Sequence, residues 1–170
     1  MKLASLEALA RALNAAEVRY LVVGGVAVNA HGYIRYTQDV DLVITLEPAN
    51  IFRAFECLAT LGFKPAVPIT SEQFADAGLR QQWIRDKGMK VLNFFSDTYR
   101  ETNVDVFVSV PFDFEREYAA AMQGELAPGL AVRFVSLPTL IAMKQQANRP
   151  RDLDDIQHLR WIMEEKKRDG

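Results

Sequence analysis

The stretch from Tyr20 to Ile44 constrains this chain more than any other. It contains a short apolar run (Tyr20-Leu21-Val22-Val23), two glycines (Gly24-Gly25) and a segment of helix length. Asp39-Val40-Asp41 then opens a second apolar run, Leu42-Val43-Ile44. Successive side chains of a strand alternate faces, so Asp39 and Asp41 point one way while Val40, Leu42 and Ile44 point the other. Two parallel carboxylates repel each other unless a cation lies between them. Hard oxygen ligands of this kind suit Mg²⁺, which keeps waters and takes its remaining ligands from substrate phosphates. The glycines supply the complement, because backbone N–H groups at a Gly-rich turn entering a helix attract anions. A phosphate cradle and a carboxylate pair, one helix apart, predict a nucleotide-handling site.

A third carboxylate stands in Asn103-Val104-Asp105-Val106-Phe107, again between apolar neighbours. In this order the three elements resemble the nucleotidyltransferase superfold, the family that includes DNA polymerase beta. Its pattern is Gly-Gly or Gly-Ser after the first strand, an Asp-x-Asp pair about a dozen residues on, and a third acid on a later strand. Here thirteen residues separate Gly25 from Asp39. The finer wording, Gly24-Gly25-x-Ala27 followed by His31-Gly32-x-x-Arg35-x-Thr37-x-Asp39-Val40-Asp41-Leu42, is similar to the bacterial group of AbiEii-type toxins and small antibiotic nucleotidyltransferases.

The resemblance implies an α/β (α+β) fold, a mixed sheet flanked by helices with a C-terminal helical tail. It also implies transfer of a nucleoside monophosphate from an NTP to an acceptor (protein, RNA or small molecule), with release of pyrophosphate. Asp39, Asp41 and Asp105 would be catalytic and would ligate two Mg²⁺ ions, or Mn²⁺, with Asp105 also able to act as base. Gly24 and Gly25 would hold the triphosphate, with Arg35, Thr37 and Lys144 as further nucleotide contacts. Many family members carry Ser in place of Gly25, its hydroxyl touching a phosphate, whereas this chain must use backbone donors there. The chain is short for the toxin group, so a partner protein or a second copy could complete acceptor recognition.

Each of these residues also has a plain structural reading. Asp39 could be a strand cap, Asp41 a surface acid and Asp105 an acid on the outer face of an edge strand. Arg35 could balance Asp39 and Asp41, or make a bidentate phosphate contact. Lys144 follows Leu140 and Ile141 at helical spacing and so faces inward, where a lysine needs an anion. That anion is either a carboxylate such as Asp155 or the triphosphate. His31 and His158 read as capping or packing residues, and Cys57 as a small core hydrophobe. A dinucleotide-binding fold is disfavoured because the Gly-x-Gly-x-x-Gly spacing is absent. A phosphohydrolase is disfavoured because two histidines make no His-Asp metal cluster. A non-catalytic, antitoxin-like nucleotide-binding module of the same fold is the alternative to an enzyme.

Length and composition set the frame. The 170 residues predict a single domain, with a core from 1 to 135 and a helical tail from 136 to 168. A net charge of −2 offers no basic field to recruit nucleic acid. One cysteine, no signal-peptide core and no run near the roughly 20 apolar residues of a membrane helix point to a cytoplasmic protein. Periodicity and punctuation predict helices over 3–16, 26–30, 48–61, 71–87, 113–123 and 138–147, and a last one opening at Asp152. Strands are predicted over 19–23, 40–45, 90–95, 104–110 and 131–135, the third and fourth of them paired.

Overall fold

The computed structural model describes all 170 residues. The chain opens with helix α1 (Leu3–Ala15), strand β1 (Tyr20–Val23), helix α2 (Gly24–Ala30), strand β2 (Asp39–Ile44) and helix α3 (Pro48–Thr60). Strand β3 (Phe63–Pro65), helices α4 (Ser71–Ala75) and α5 (Ala77–Lys87), and strands β4 (Val91–Ser96) and β5 (Asn103–Phe107) follow. Helix α6 (Phe114–Ala120), the hairpin β6 (Met122–Ala127) and β7 (Leu130–Phe134), and helices α7 (Leu137–Ala147) and α8 (Pro150–Asp169) complete the chain.

All seven strands form one mixed sheet in the order β3-β4-β5-β2-β1-β7-β6. β1 runs antiparallel to β2 and parallel to β7, and β2 runs parallel to β5. This mixed sheet flanked by helices, with a helical tail at its end, is the α/β architecture that the residue pattern implied. β1 is buried along its whole length, as its apolar residues on both faces require of an inner strand. A single hydrophobic cluster of 37 buried residues spans α1 through α8. It takes in Leu137, Leu140 and Ile141 of α7 and Ile156 and Leu159 of α8, so the helical tail shares the core of the sheet. Cys57 packs in this cluster, its thiol donating to the Ala12 carbonyl at 3.2 Å.

Four departures from the predicted elements have local causes. α2 begins at Gly24, so the glycines form the first turn of the helix rather than a loop before it. The helix expected over 71–87 breaks at Asp76, whose side chain accepts from the Leu79 N–H and caps α5. α6 ends at Ala120, and Met122 starts an edge strand turned by Pro128-Gly129, with Gly129 at φ +74°. α8 starts at Pro150 rather than Asp152, with proline in its first turn where no N–H is needed.

Candidate active site

The register of three strands builds the site. Val23, the last residue of β1, pairs with Asp41, so Gly24 turns off the strand directly beside the Asp41 side chain. Asp41 pairs across β2 and β5 with Asp105, and Asp39 pairs with Asn103. Residues paired across neighbouring strands share a face, so Asp39, Asp41 and Asp105 line one side of the sheet. β5 is an inner strand, which removes the edge-strand reading of Asp105.

The two glycines are dictated by what lies against them. A Cβ on Gly24 would stand 2.7 Å from Asp41 Cγ, and its φ of +65° is one that side chains disfavour. A Cβ on Gly25 would stand 2.5 Å from Thr37 Oγ1 and 3.2 Å from Arg35 Nη1. The turn is therefore pressed between the acid of β2 and the segment leading into that strand. No side chain caps the first turn of α2.

The carboxylates crowd one another. Burial first, then Asp105 and Asp39, push the Asp41 carboxyl up to about 7. Burial and Asp39 also raise Asp105, against a hydrogen bond that Asn93 Nδ2 donates to Asp105 Oδ1 at 2.7 Å. Asn93 pairs with Asp105 across β4 and β5, so the sheet itself aims the amide at the acid. None of the three acids takes part in a salt bridge, although Lys144 and Arg149 ease the charge on Asp41 from a distance. Three unpaired carboxylates form a hard oxygen donor set, which fits a divalent cation. No group of three or more His, Cys, Asp or Glu side chains stands at metal-ligating spacing, so the acids form a shared wall rather than a closed cage.

Beside that wall lies a ladder of ion pairs. Lys144 is buried, with its ammonium 2.7 Å from Asp155 Oδ2 and 3.2 Å from Asp152 Oδ1. Of the two anions expected for Lys144, a carboxylate such as Asp155 or the triphosphate, the structure shows the carboxylate, with Asp152 as a second partner. Arg35 grips Asp155 through Nε at 2.6 Å and Nη2 at 2.7 Å, so it balances Asp155 and not the Asp39–Asp41 pair. The reason is geometric: β2 begins only at Asp39, and the irregular segment before it carries Arg35 across to α8. Arg149 grips Asp152 in the same way. Burial alone would raise these two acids. The arginine and lysine hydrogen bonds outweigh it, lowering Asp155 and bringing Asp152 down to about 2.

The remaining predicted residues hold the frame. Thr37 stands over Gly25, and its hydroxyl donates to the Asp39 carbonyl at 3.4 Å. His31 is buried, its Nε2 2.7 Å from the Val135 carbonyl, and so joins α2 to the end of β7. His158 stacks on Tyr33 at 3.8 Å, and Tyr33 donates to Asp154 at 2.6 Å, fastening the segment after α2 to α8. Two polar residues escaped the sequence reading. Asn93 could have been noticed as a polar residue inside an apolar strand, and Arg149 as the residue preceding a helix-opening proline.

No protein-family model matches the chain, and no curated protein matches it. Among solved structures it is similar to a lincosamide antibiotic adenylyltransferase, LnuA, in its lincomycin-bound form. The superposition has a TM-score of 0.58 at 12% identity and covers 88% of this chain and 90% of that one. The likeness extends over nearly the full length of both chains and lies in the fold. No helix is long and apolar enough to cross a membrane.

Proposed function

We propose that the protein transfers a nucleoside monophosphate from an NTP to a hydroxyl of a small molecule. The observation that carries this reading is the convergence of Asp41, Asp105 and Asp39 against the Gly24 turn. The fold shared with an antibiotic adenylyltransferase supports a small-molecule acceptor, and the absence of a basic field agrees with it. The motif wording resembles both the AbiEii-type toxins and the antibiotic nucleotidyltransferases, and the structural likeness supports the antibiotic-modifying side of that resemblance.

Asp39, Asp41 and Asp105 would hold one or two Mg²⁺ or Mn²⁺ ions, which when bound offset phosphate charge and acidify the acceptor hydroxyl. Backbone N–H groups of the Gly24–Gly25 turn and the Thr37 hydroxyl receive phosphate oxygens. Thr37 projects over Gly25, and so returns a hydroxyl to the place where related proteins carry serine. Asn93 fixes Asp105 by one oxygen, leaving the other to take the proton from the acceptor. The acceptor oxygen bonds to the α-phosphorus as the bond to the bridging oxygen of pyrophosphate breaks. Lys144 and Arg35, committed to Asp152 and Asp155, hold α7, α8 and the 33–38 segment around the site.

The test is incubation of the protein and Mg²⁺ with α-phosphate-labelled NTPs and a panel of hydroxylated small molecules. Label transferred to a small molecule, with one pyrophosphate released per transfer, is expected. Tight NTP binding without transfer to any acceptor, protein and RNA included, would instead favour the non-catalytic nucleotide-binding module.

A further inference from the structure

Arg149 has so far only the role of holding Asp152. It precedes α8 and grips Asp152 three times: through Nε at 2.8 Å, through Nη2 at 3.2 Å and through its own backbone N–H at 3.0 Å. Its Nη1 makes no hydrogen bond. Its side chain is 70% exposed, whereas those of Lys144 and Arg35 are 5% and 15% exposed.

The charges of the ladder do not balance. Three cations (Arg35, Lys144, Arg149) share two buried acids, Asp155 and Asp152. Two cations suffice to neutralise two carboxylates, and Lys144 already bridges both. One positive charge is therefore in surplus, and it sits at the only exposed end of the ladder. Beyond Asp152, the charges that act on Arg149 are those of Asp41 and Asp155. The half-free guanidinium thus lies within electrostatic range of the carboxylate wall without being hydrogen-bonded to it. A planar fork at this position has the geometry that recognises phosphate.

We propose that Arg149 is a phosphate-binding residue, receiving the pyrophosphate end of the NTP through its free Nη1 edge while Asp152 holds the rest of the fork. This rests on the nucleotidyltransferase reading above. The α-phosphate must lie at the wall, where the acceptor attacks, so the β- and γ-phosphates extend off it toward a cation with a free donor edge. Within the ladder Lys144 and Arg35 are buried against their acids, which leaves the exposed Arg149 as that cation.

The experiment titrates the full-length chain with Mg²⁺-pyrophosphate, which lacks base and ribose, and with each Mg²⁺-NTP. Arg149→Met and Arg149→Lys are compared in the natural background and in Asp152→Asn, where no buried acid remains at 152 to be neutralised. Melting of each variant shows that it is folded. The expected result is an affinity loss of about tenfold or more for Arg149→Met in both backgrounds, partly restored by Arg149→Lys. If Arg149→Met in the Asp152→Asn background binds both ligands as Asp152→Asn alone does, Arg149 serves only to neutralise Asp152 and the proposal is overturned. If the natural protein itself binds no Mg²⁺-NTP, the nucleotidyltransferase reading fails and this inference fails with it.

Discussion

The Asp41 carboxylate occupies the space that a side chain on Gly24 would fill. A Cβ built on Gly24 would stand 2.7 Å from Asp41 Cγ and closer still to Oδ2. The Gly24 turn and the acid are therefore one unit, set by the pairing of Val23 with Asp41. Gly24→Ala should lose stability on two counts. The left-handed backbone alone costs about 1–2 kcal/mol once a Cβ is present, and the carboxylate must also swing away. Chemical denaturation should show a smaller loss for Gly24→Ala in an Asp41→Gly background, where only the backbone cost remains. Equal losses in both backgrounds would mean that the close approach has no energetic weight.

Gly25 and Thr37 make a second such pair. Gly25→Ser alone should destabilise, because its Cβ would stand 2.5 Å from Thr37 Oγ1. In a Thr37→Gly background the same serine should be accommodated and should return the hydroxyl that Thr37→Gly removes. NTP affinity, weakened several-fold in Thr37→Gly by loss of one hydrogen bond to a charged group, should then recover in the double variant. Calorimetric titration of the three proteins checks this, and a double variant no better than Thr37→Gly would dissociate Thr37 from phosphate binding.

Lys144 is a stability residue before it is anything else. Lys144→Met leaves Asp152 and Asp155 each paired with one arginine but strips the buried ammonium bridge from between them, which should cost about 1.5–3 kcal/mol of folding stability. The loss is measured by denaturant unfolding. A Lys144→Met protein as stable as the natural one would contradict the ladder.

Asp41 and Asp152 should give stability opposite pH dependences. The folded carboxyl of Asp41 at about 7 lies above its ordinary 3.8, so between those values the folded state keeps a proton that the unfolded chain has released. The contribution of Asp41 to stability therefore falls as pH rises from about 4 to 7 and is constant above. Asp152, held at about 2, does the reverse: its contribution is present above about 4 and is lost as pH falls through 2. Asp41→Asn should thus raise the melting temperature at about pH 8 and leave it nearly unchanged at about pH 4. Mg²⁺ should raise the melting temperature of the natural protein at the higher pH and do little for Asp41→Asn. A melting temperature lowered by Asp41→Asn at pH above 7 would make Asp41 a structural acid.

The centre of the molecule was readable from the chain because its signals are local and redundant. Apolar runs, a glycine pair and alternating acids each specify an element by themselves, and together they place β1, α2, β2 and β5 and the three carboxylates on them. The periphery was harder to read where tertiary contacts override weak local patterns. β3 has only three residues and ends in proline, so nothing in its sequence outweighs a loop until Phe63 pairs with Ser96. β6 alternates polar residues with Gly124 and reads as the end of a helix, although Pro128-Gly129 marks its hairpin turn. The partners of Arg35 and Asp105 were not readable either. Asp155 is 120 residues from Arg35 in sequence, and Asn93 reaches Asp105 only through the register of β4 on β5.

The account stands or falls on metal-dependent nucleotide binding at the Asp41 wall. Isothermal titration of each NTP onto the natural protein and onto Asp41→Asn, with and without Mg²⁺, tests it most directly. The predicted result is binding of at least one NTP that requires Mg²⁺ and is lost in Asp41→Asn, while the variant melts no lower than the natural protein. Failure of every NTP to bind at millimolar concentration, or Mg²⁺-independent binding of equal strength in the two proteins, would contradict it.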